Sequence, residues 1–422
     1  MVDVAHRVRC DLLGPVQELR RADRFDIAVV VDLHAHYPMH LVPDAPGGLW
    51  HLLTSALGRR QLGDRIRAFL ITSIASPIGN YQSLFSRERV NVRYMQEGGV
   101  RVAYSVLYSF FDEADVDDGP QPQADYFPTL LRQLEAVEKH VREKHPNDVA
   151  IVSSRDELTA ALDGGRLALI HCVEGGFHLG ADPTAVAEAV RVLAGKGVAY
   201  ITLAHLIWRG VATDAPALPF LTEEQYRRWL PQPPEGLSAL GEAAVRAMVA
   251  HRVLIDISHM SDRAVEETLG LLDEIDPSRA ATVISSHAGF RFGDQEYMHT
   301  PDTIRRIAER DGVIGLIFAV HQLENGLDVG MRPKLRVTKA GRFERGFETI
   351  CHHIDAIHRV TGTHRHTAIG SDFDGFIKPT LPGLRDMRDM ARLEAALVKR
   401  YGAADAELLC SGNALRVLER IW

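Results

Sequence analysis

Two histidines one residue apart, His34 and His36, close the apolar run Ile27-Ala-Val-Val-Val-Asp-Leu33. Residues two apart on a β-strand face the same way, so both imidazoles reach one point in space, as the first two protein ligands of a metal ion must. The arrangement recurs downstream. Glu174 follows the run Leu167–Val173, His205 follows Val198–Ala204, His259 follows Val253–Ser258, His287 follows Thr282–Ser286 and Asp372 follows Thr367–Ser371. Taken singly, a buried histidine is commonly a hydrogen-bonded core residue and a carboxylate at a strand end commonly a helix cap. Seven such groups at strand ends point instead to a shared task. Imidazole and carboxylate ligands suit zinc and its borderline neighbours, and three or four groups per ion with one position open make a catalytic site. Four histidines and two carboxylates suffice for two ions.

Something must present these groups on one rim. Together with Arg101–Tyr108 and Val313–Ala319, the apolar runs number eight, and helix-like stretches such as Tyr126–Lys144, Pro183–Gly195, Ala239–Ala250 and Pro301–Arg310 lie between them. Thr300 is the expected N-cap of the last of these, with Pro301 at its first position. This alternation predicts an α/β fold, a (β/α)₈ TIM-type barrel whose site lies at the C-terminal strand ends. A doubly wound open sheet is the competing architecture, but the chemically active residues come from strands spread over the whole count. Connections at about 35–95, 206–237 and 320–346 are too long for simple turns and read as walls or lids inserted on the catalytic face. The whole chain, 1–422, is thereby expected to be a single metal-dependent barrel domain.

Composition narrows the partner. With 46% hydrophobic and 25% charged residues the chain has the makings of a globular core, and 48 basic against 56 acidic residues leave it at −8. No basic cluster with interleaved aromatics suggests a nucleic-acid groove, so a small molecule is the expected partner. Cys10, Cys172, Cys351 and Cys410 are scattered without disulfide-framework or metal spacing, which suits a reducing compartment. Neither a secretory h-region nor an 18-residue apolar span is present, so the expectation is a cytoplasmic protein without membrane attachment.

Further motifs accompany these groups. Asp32-Leu-His-Ala-His36, Val173-Glu-Gly-Gly176, Thr202-Leu-Ala-His205, Gly236-Leu-Ser-Ala-Leu-Gly241, Asp256-Ile-Ser-His-Met-Ser261, Ser286-His287, Gly370-Ser-Asp-Phe-Asp-Gly375 and Gly412-Asn-Ala-Leu-Arg-Val417 occur in that order. From about residue 27 onward the chain resembles the renal or membrane dipeptidase family (peptidase family M19) of the amidohydrolase superfamily. The resemblance implies that His34 and His36 hold one zinc, that His259 and His287 hold the other, and that Glu174 bridges the pair. It favours a homodimer.

Amide hydrolysis at neutral pH needs hydroxide, and coordination lowers the pKa of water enough to supply it, while two ions clamp the attacking and developing oxygens. The expectation is therefore a dipeptidase-like binuclear zinc hydrolase that uses a metal-bridging hydroxide on a small dipeptide or dipeptide-like substrate. Asp372 is the candidate to collect the nucleophile's proton and deliver it to the leaving amine, with Asp374 the second choice. His205 matches the family residue that stabilises the tetrahedral oxyanion. Asp32 shares strand parity with His34 and His36, and is read either as orienting a ligand from beneath or as structural. Cys172 reads as a small core residue.

The chain departs from the family pattern twice. His36 stands where the family has Asp, which removes a negative charge from the ligand set. Met298, in Tyr297-Met-His-Thr-Pro-Asp302, stands where the family has the Arg that recognises the substrate's terminal carboxylate. A thioether does not replace a bidentate guanidinium. Arg291 and Arg209 are the nearest candidates to take over. The alternative reading keeps the metals and changes the substrate to a non-dipeptide amide, an N-acyl amino acid or a lactone. A non-catalytic metal-bound barrel is a third reading, against which the retention of Glu174, His205 and Asp372 argues.

Overall fold

The computed structural model describes residues 29–41, 88–114, 119–218, 221–327, 339–375, 377 and 380–422. Among the described residues nine strands appear in chain order: β1 Val30–Ala35, β2 Val100–Leu107, β3 Val149–Ile151, β4 Leu167–Glu174, β5 Tyr200–Thr202, β6 Leu254–Asp256, β7 Val283–Ala288, β8 Ile314–Leu316 and β9 Thr367–Ile369. All pair in parallel, and their order runs β2-β1-β9-β8-β7-β6-β5-β4 with β2 pairing β4, so eight strands close into a barrel. The TIM-type α/β barrel expected from the alternation is the fold. The ninth strand, β3, extends the N-terminal half of β4 on the side where β5 takes over further along. It was missing from the sequence reading because three residues carry no usable alternation.

The eight expected strands are all present, and β5, β6, β8 and β9 are shorter than their apolar runs. Leu203 and Ala204 beyond β5, and Ile317, Phe318 and Ala319 beyond β8, stay buried without continuing the named strands. Beyond β8 the chain pairs through scattered bonds, Ile317 N to the Ala288 carbonyl, Phe318 N to the Ser371 carbonyl and a bridge of Ala319 with Thr380.

Between the strands and the helices lies one apolar layer. The helix Tyr126–Lys144 contributes Leu130, Leu134, Val137 and Val141, spaced three and four apart as a single buried stripe requires. Helix starts follow their capping chemistry. Asp182 accepts from the amides of Thr184 and Ala185 ahead of Pro183, and Thr300 accepts from Thr303 ahead of Pro301. The barrel interior is a second cluster, built from Val31, Leu33, Val102, Tyr104, Ile170, Cys172 and Tyr200. Ala414, Leu415, Val417 and Leu418 of the helix Asn413–Glu419 join that cluster, and the Tyr104 hydroxyl donates to the Ala414 carbonyl at 3.0 Å. The inner space is thus packed with side chains, and Cys172 is the small core residue its position suggested.

Of the three long connections, 206–237 is described apart from residues 219–220, while 42–87 and 328–338 fall outside the described residues. The described insertion closes on itself through the bridge of Ala212 with Leu237 and leans on the neighbouring rim through that of Asp214 with Met260.

Candidate metal centre

The seven rim residues converge. Glu174, at the end of β4, is buried, and its Oε1 lies 3.4 Å from Nε2 of His34, His259 and His287. Its Oε2 lies 3.4 Å from Nε2 of His36 and 3.3 Å from Nε2 of His205. Asp372 Oδ1 is 3.0 Å from His36 Nε2 and 3.7 Å from His34 Nε2. The Nε2 atoms of His34 and His36 are 3.3 Å apart, and those of His259 and His287 2.8 Å. Every group in the set is nine-tenths or more buried.

The donor set fits metal ions. Neither oxygen of Glu174 has a hydrogen-bond partner, although buried carboxylates ordinarily find donors. Two imidazole nitrogens bound at ~2.0–2.1 Å to one tetrahedral ion lie about 3.3 Å apart, the spacing of the His34–His36 pair. Three overlapping groups bring their ligand atoms within 4.8 Å of one another: His34, Glu174 and His287; His34, His36 and Asp372; Glu174, His205 and His259. Burial, joined by the neighbouring imidazoles, holds His34 and His287 well below the usual histidine range, and burial takes His259 to about 4. All three are therefore neutral rings with ligand lone pairs. Burial acts in the same direction on His36, but the hydrogen bond to Asp372 and the charges of Glu174, Asp372 and Asp374 outweigh it and raise this ring. Positive charge is called for where the carboxylates meet. Burial likewise lifts the Glu174 carboxyl to about 7 against the pull of His205 and His36.

What fixes the rings is a hydroxyl network below them. Ser286 Oγ donates to Asp256 Oδ2 at 2.6 Å, leaving its lone pairs to accept from Nδ1 of His287 at 2.8 Å and of His34 at 3.1 Å. Tyr200 donates its hydroxyl proton to the Leu33 carbonyl at 3.0 Å and accepts from His34 Nδ1 at 2.8 Å. With Nδ1 protonated in both rings, Nε2 carries the lone pair that faces Glu174. Asp256 also accepts from the Ser258 amide, the Ser258 hydroxyl, the Ser286 amide and the Thr202 hydroxyl, so one buried carboxylate ties β5, β6 and β7 together. Backbone conformation adds to this. His259 and Asp372 adopt φ values of 66° and 55°, a region that non-glycine residues enter at a cost, and they are locked there by the hydrogen bonds Ala215 N to His259 O and Asp372 N to His34 O.

Other candidates sit elsewhere. Asp32 accepts from the His34 amide and from the amide and hydroxyl of Ser371, so it joins β1 to the loop carrying Asp372 instead of orienting an imidazole ring. Asp374 accepts from the amides of Arg89 and Val90 and thereby braces that segment. Arg291 is occupied, donating to both oxygens of Asp262 and to the carbonyls of Met298 and Glu296. Arg209 is buried, donating to the Gly119 carbonyl and the Tyr126 hydroxyl. Met298 itself is buried.

Several residues that serve the centre went unread in the sequence. Glu113 accepts from His205 Nδ1 at 2.7 Å, and Asp214 Oδ1 accepts from the His205 amide at 2.7 Å. Tyr297 donates to the His287 carbonyl at 3.0 Å beside His259. Only Asp256 had a signal, an aspartate inside the apolar run Val253–Ser258, two residues before Ser258.

Fold and donor set define the class, a parallel eight-stranded α/β barrel with a buried histidine–carboxylate cluster able to hold metal at the C-terminal rim. Residues 28–421 match the model of the membrane dipeptidase family, peptidase family M19, and the chain belongs to that family of metallo-hydrolases. An uncharacterized dipeptidase of Schizosaccharomyces pombe is 27% identical over 69% of this chain and 62% of its own length. Dipeptidase 3 of Rattus norvegicus is 27% identical over 65% of this chain, which spans 48% of that protein. Among solved structures, a metallo peptidase from Rhodobacter sphaeroides, liganded with a phosphinate mimic of the dipeptide L-Ala-D-Ala, shares the fold. It has a TM-score of 0.63 and 19% identity, with 94% of this chain and 100% of that one covered. The probable dipeptidase PvdM from Pseudomonas aeruginosa gives a TM-score of 0.60 at 21% identity, over 81% of this chain and 91% of that one.

Proposed function

We propose that the chain is a binuclear, zinc-dependent, dipeptidase-like hydrolase that cleaves the amide bond of a small dipeptide-like substrate. The observation that carries this reading is the convergence of five imidazole Nε2 atoms on a buried glutamate whose two oxygens have no hydrogen-bond partner. His34 and His36 are assigned to one ion, His259 and His287 to the other, and Glu174 to both. Bound there, the ions would supply water of lowered pKa and an electrostatic clamp on the scissile carbonyl.

The chain's own groups do the rest. Asp372 Oδ1, on the His36 side of Glu174, accepts the proton of the attacking water and passes it to the departing nitrogen. His205 Nε2 faces the centre across Glu174 Oε2 and donates to the carbonyl oxygen as it becomes an oxyanion. Burial of the whole set keeps bulk water from competing for these contacts. Family membership, and the dipeptide mimic held by the Rhodobacter sphaeroides relative, support a dipeptide-like substrate.

A second reading keeps the chemistry and changes the substrate to an amide without a free C-terminal carboxylate, an N-acyl amino acid or a lactone. The engagement of Arg291 with Asp262 and the burial of Met298 favour it, since neither supplies a free guanidinium to a substrate acid. Amine release by zinc-reconstituted protein from L,L and L,D dipeptides and from their C-terminally amidated and N-acylated counterparts separates the two. Hydrolysis that requires the free carboxylate supports the first reading, and hydrolysis indifferent to it supports the second. A protein that holds zinc and cleaves nothing across amides and esters refutes both.

A further inference from the structure

His205 is held more firmly than a lone hydrogen-bond donor needs to be. Its ring stands edge-on to Tyr108, with centroids 4.5 Å apart, and to His259 at the same distance. Its Nδ1 lies 2.7 Å from Glu113 Oε2, which also accepts the Tyr108 hydroxyl at 2.5 Å. The other oxygen of Glu113 accepts the amides of Leu206 at 2.7 Å and Ile207 at 2.9 Å. One fully buried carboxylate, brought by the loop after β2, thus grips both the ring of His205 and the backbone that follows it on the loop after β5. Asp214 completes the grip at the His205 amide.

We propose that Glu113 is a positioning residue for the reaction, holding His205 by its Nδ1 proton so that a second proton, on Nε2, faces the reacting centre. The inference rests on the assignment of His205 as the group that meets the substrate carbonyl. A carboxylate accepts and never donates, so the ring nitrogen 2.7 Å from it must carry hydrogen. The Tyr108 hydroxyl and two amides occupy the remaining acceptor positions, so the carboxylate is itself immobile. Against complete burial, the contacts with His205 and Tyr108 and the Leu206 amide hold the Glu113 carboxyl down at about 2, and it stays anionic throughout the neutral range. Buried carboxylate–imidazole pairs orient rings in this way wherever the far nitrogen has a task. The arrangement was invisible in the chain because Glu113 lies 92 positions before its partner, inside the acidic stretch Asp112-Glu-Ala-Asp-Val-Asp-Asp118.

Glu113→Gln tests this with little change in volume. The amide oxygen still serves Leu206 and Ile207, while its NH₂ faces His205 Nδ1 and turns that atom into an acceptor. In zinc-reconstituted protein carrying ¹⁵N-histidine, with His205→Asn to assign the signals, long-range ¹H–¹⁵N spectra should show His205 protonated at Nδ1 as well as at Nε2 in the parent. The Nδ1 proton should be lost in Glu113→Gln. On L-Ala-D-Ala as the probe, kcat should fall about 10- to 100-fold with KM altered by less than about threefold. Glu113→Asp, which keeps the charge, should recover part of the loss. A parent His205 without a proton on Nδ1 overturns the proposal even if the Gln variant fails to fold. An Nδ1 proton that survives the substitution, or one that is lost with kcat unchanged, overturns it as well. If the parent does not cleave L-Ala-D-Ala, the dipeptidase reading fails, and the Nδ1 proton still decides the role of Glu113.

Discussion

Glu174→Gln should stabilise the metal-free protein and destabilise the zinc-loaded one, a reversal of sign that ordinary packing changes do not give. Burial places the Glu174 carboxyl at about 7, against 4.5 for a solvated glutamate. A carboxyl raised in the folded state costs nothing below the unfolded value, and the penalty grows as pH rises toward the folded value and is complete above it. The interval of 2.5 between those values corresponds to about 3 kcal/mol at pH 8. Glutamine carries no charge to desolvate, and its NH₂ can donate to the neutral imidazoles around it. In chelator at pH 8, Glu174→Gln should therefore unfold at a higher temperature than the parent, and at pH 5 most of the difference should be gone. Zinc reverses the ranking, because an ion that binds only the folded state adds about 4 kcal/mol at a free concentration 1,000-fold above its dissociation constant. Losing the shared ligand removes most of that gain. Melting curves with and without zinc at the two pH values, read beside metal content by mass spectrometry, decide the matter. A Gln variant less stable than the parent in chelator at pH 8, or one that gains as much from zinc, refutes the reasoning.

Removing other members of the set has separate consequences. His259→Ala should lower bound zinc by about one ion per chain and abolish turnover with folding intact, and Asp372→Ala should abolish turnover while the circular-dichroism spectrum stays unchanged; persisting turnover in either removes that residue's role. Asp256→Asn should cost about 2–4 kcal/mol in chemical denaturation and weaken zinc binding about 10- to 100-fold, because an amide cannot accept from all of Ser258, Ser286 and Thr202. Arg291→Ala should lose about 1–2 kcal/mol of stability through the orphaned carbonyls of Met298 and Glu296. Its ratio of activities on free and amidated dipeptides should match the parent's, whereas a ratio shifted tenfold would make Arg291 a substrate contact.

The sequence disclosed what depends on local pattern. Each strand that carries a site residue is an apolar run ending in a polar group, and the helix Tyr126–Lys144 has its expected bounds because its apolar spacing and its neighbours agree. The convergence of His34, His36, Glu174, His205, His259, His287 and Asp372 was legible because parallel strands in a barrel all end on one rim. Partners that depend on closure were not. Glu113 reaches His205 because β2 and β4 pair to shut the barrel, which places the loop after β2 near the loop after β5. Asp32 allowed two readings, and the structural one holds for a related reason: the β1–β2 register shifts between Asp32 and Ala35, and its oxygens meet Ser371.

The two departures from the family pattern are opposite in sign. His36 for aspartate takes one negative charge out of the ligand set, and Met298 for arginine takes one positive charge from the place where the substrate's acid would lie. Their sum leaves the charge of the mouth unchanged and moves its positive end inward, toward the ions and His36. An acid group on a substrate would then be drawn to the metal centre itself, where it competes with the carbonyl to be cleaved, and not to a distant guanidinium that holds it clear. Among the described residues Arg291 does not restore the balance, because Asp262 already takes both arms of its fork. On the second reading proposed above, productive binding is best served by a substrate whose leaving side is neutral, and free dipeptides should show inhibition by their own carboxylate. That inhibition, measured as a fall in rate at high concentrations of free dipeptide and absent for the amidated counterpart, is the kinetic signature that ties both substitutions to one cause.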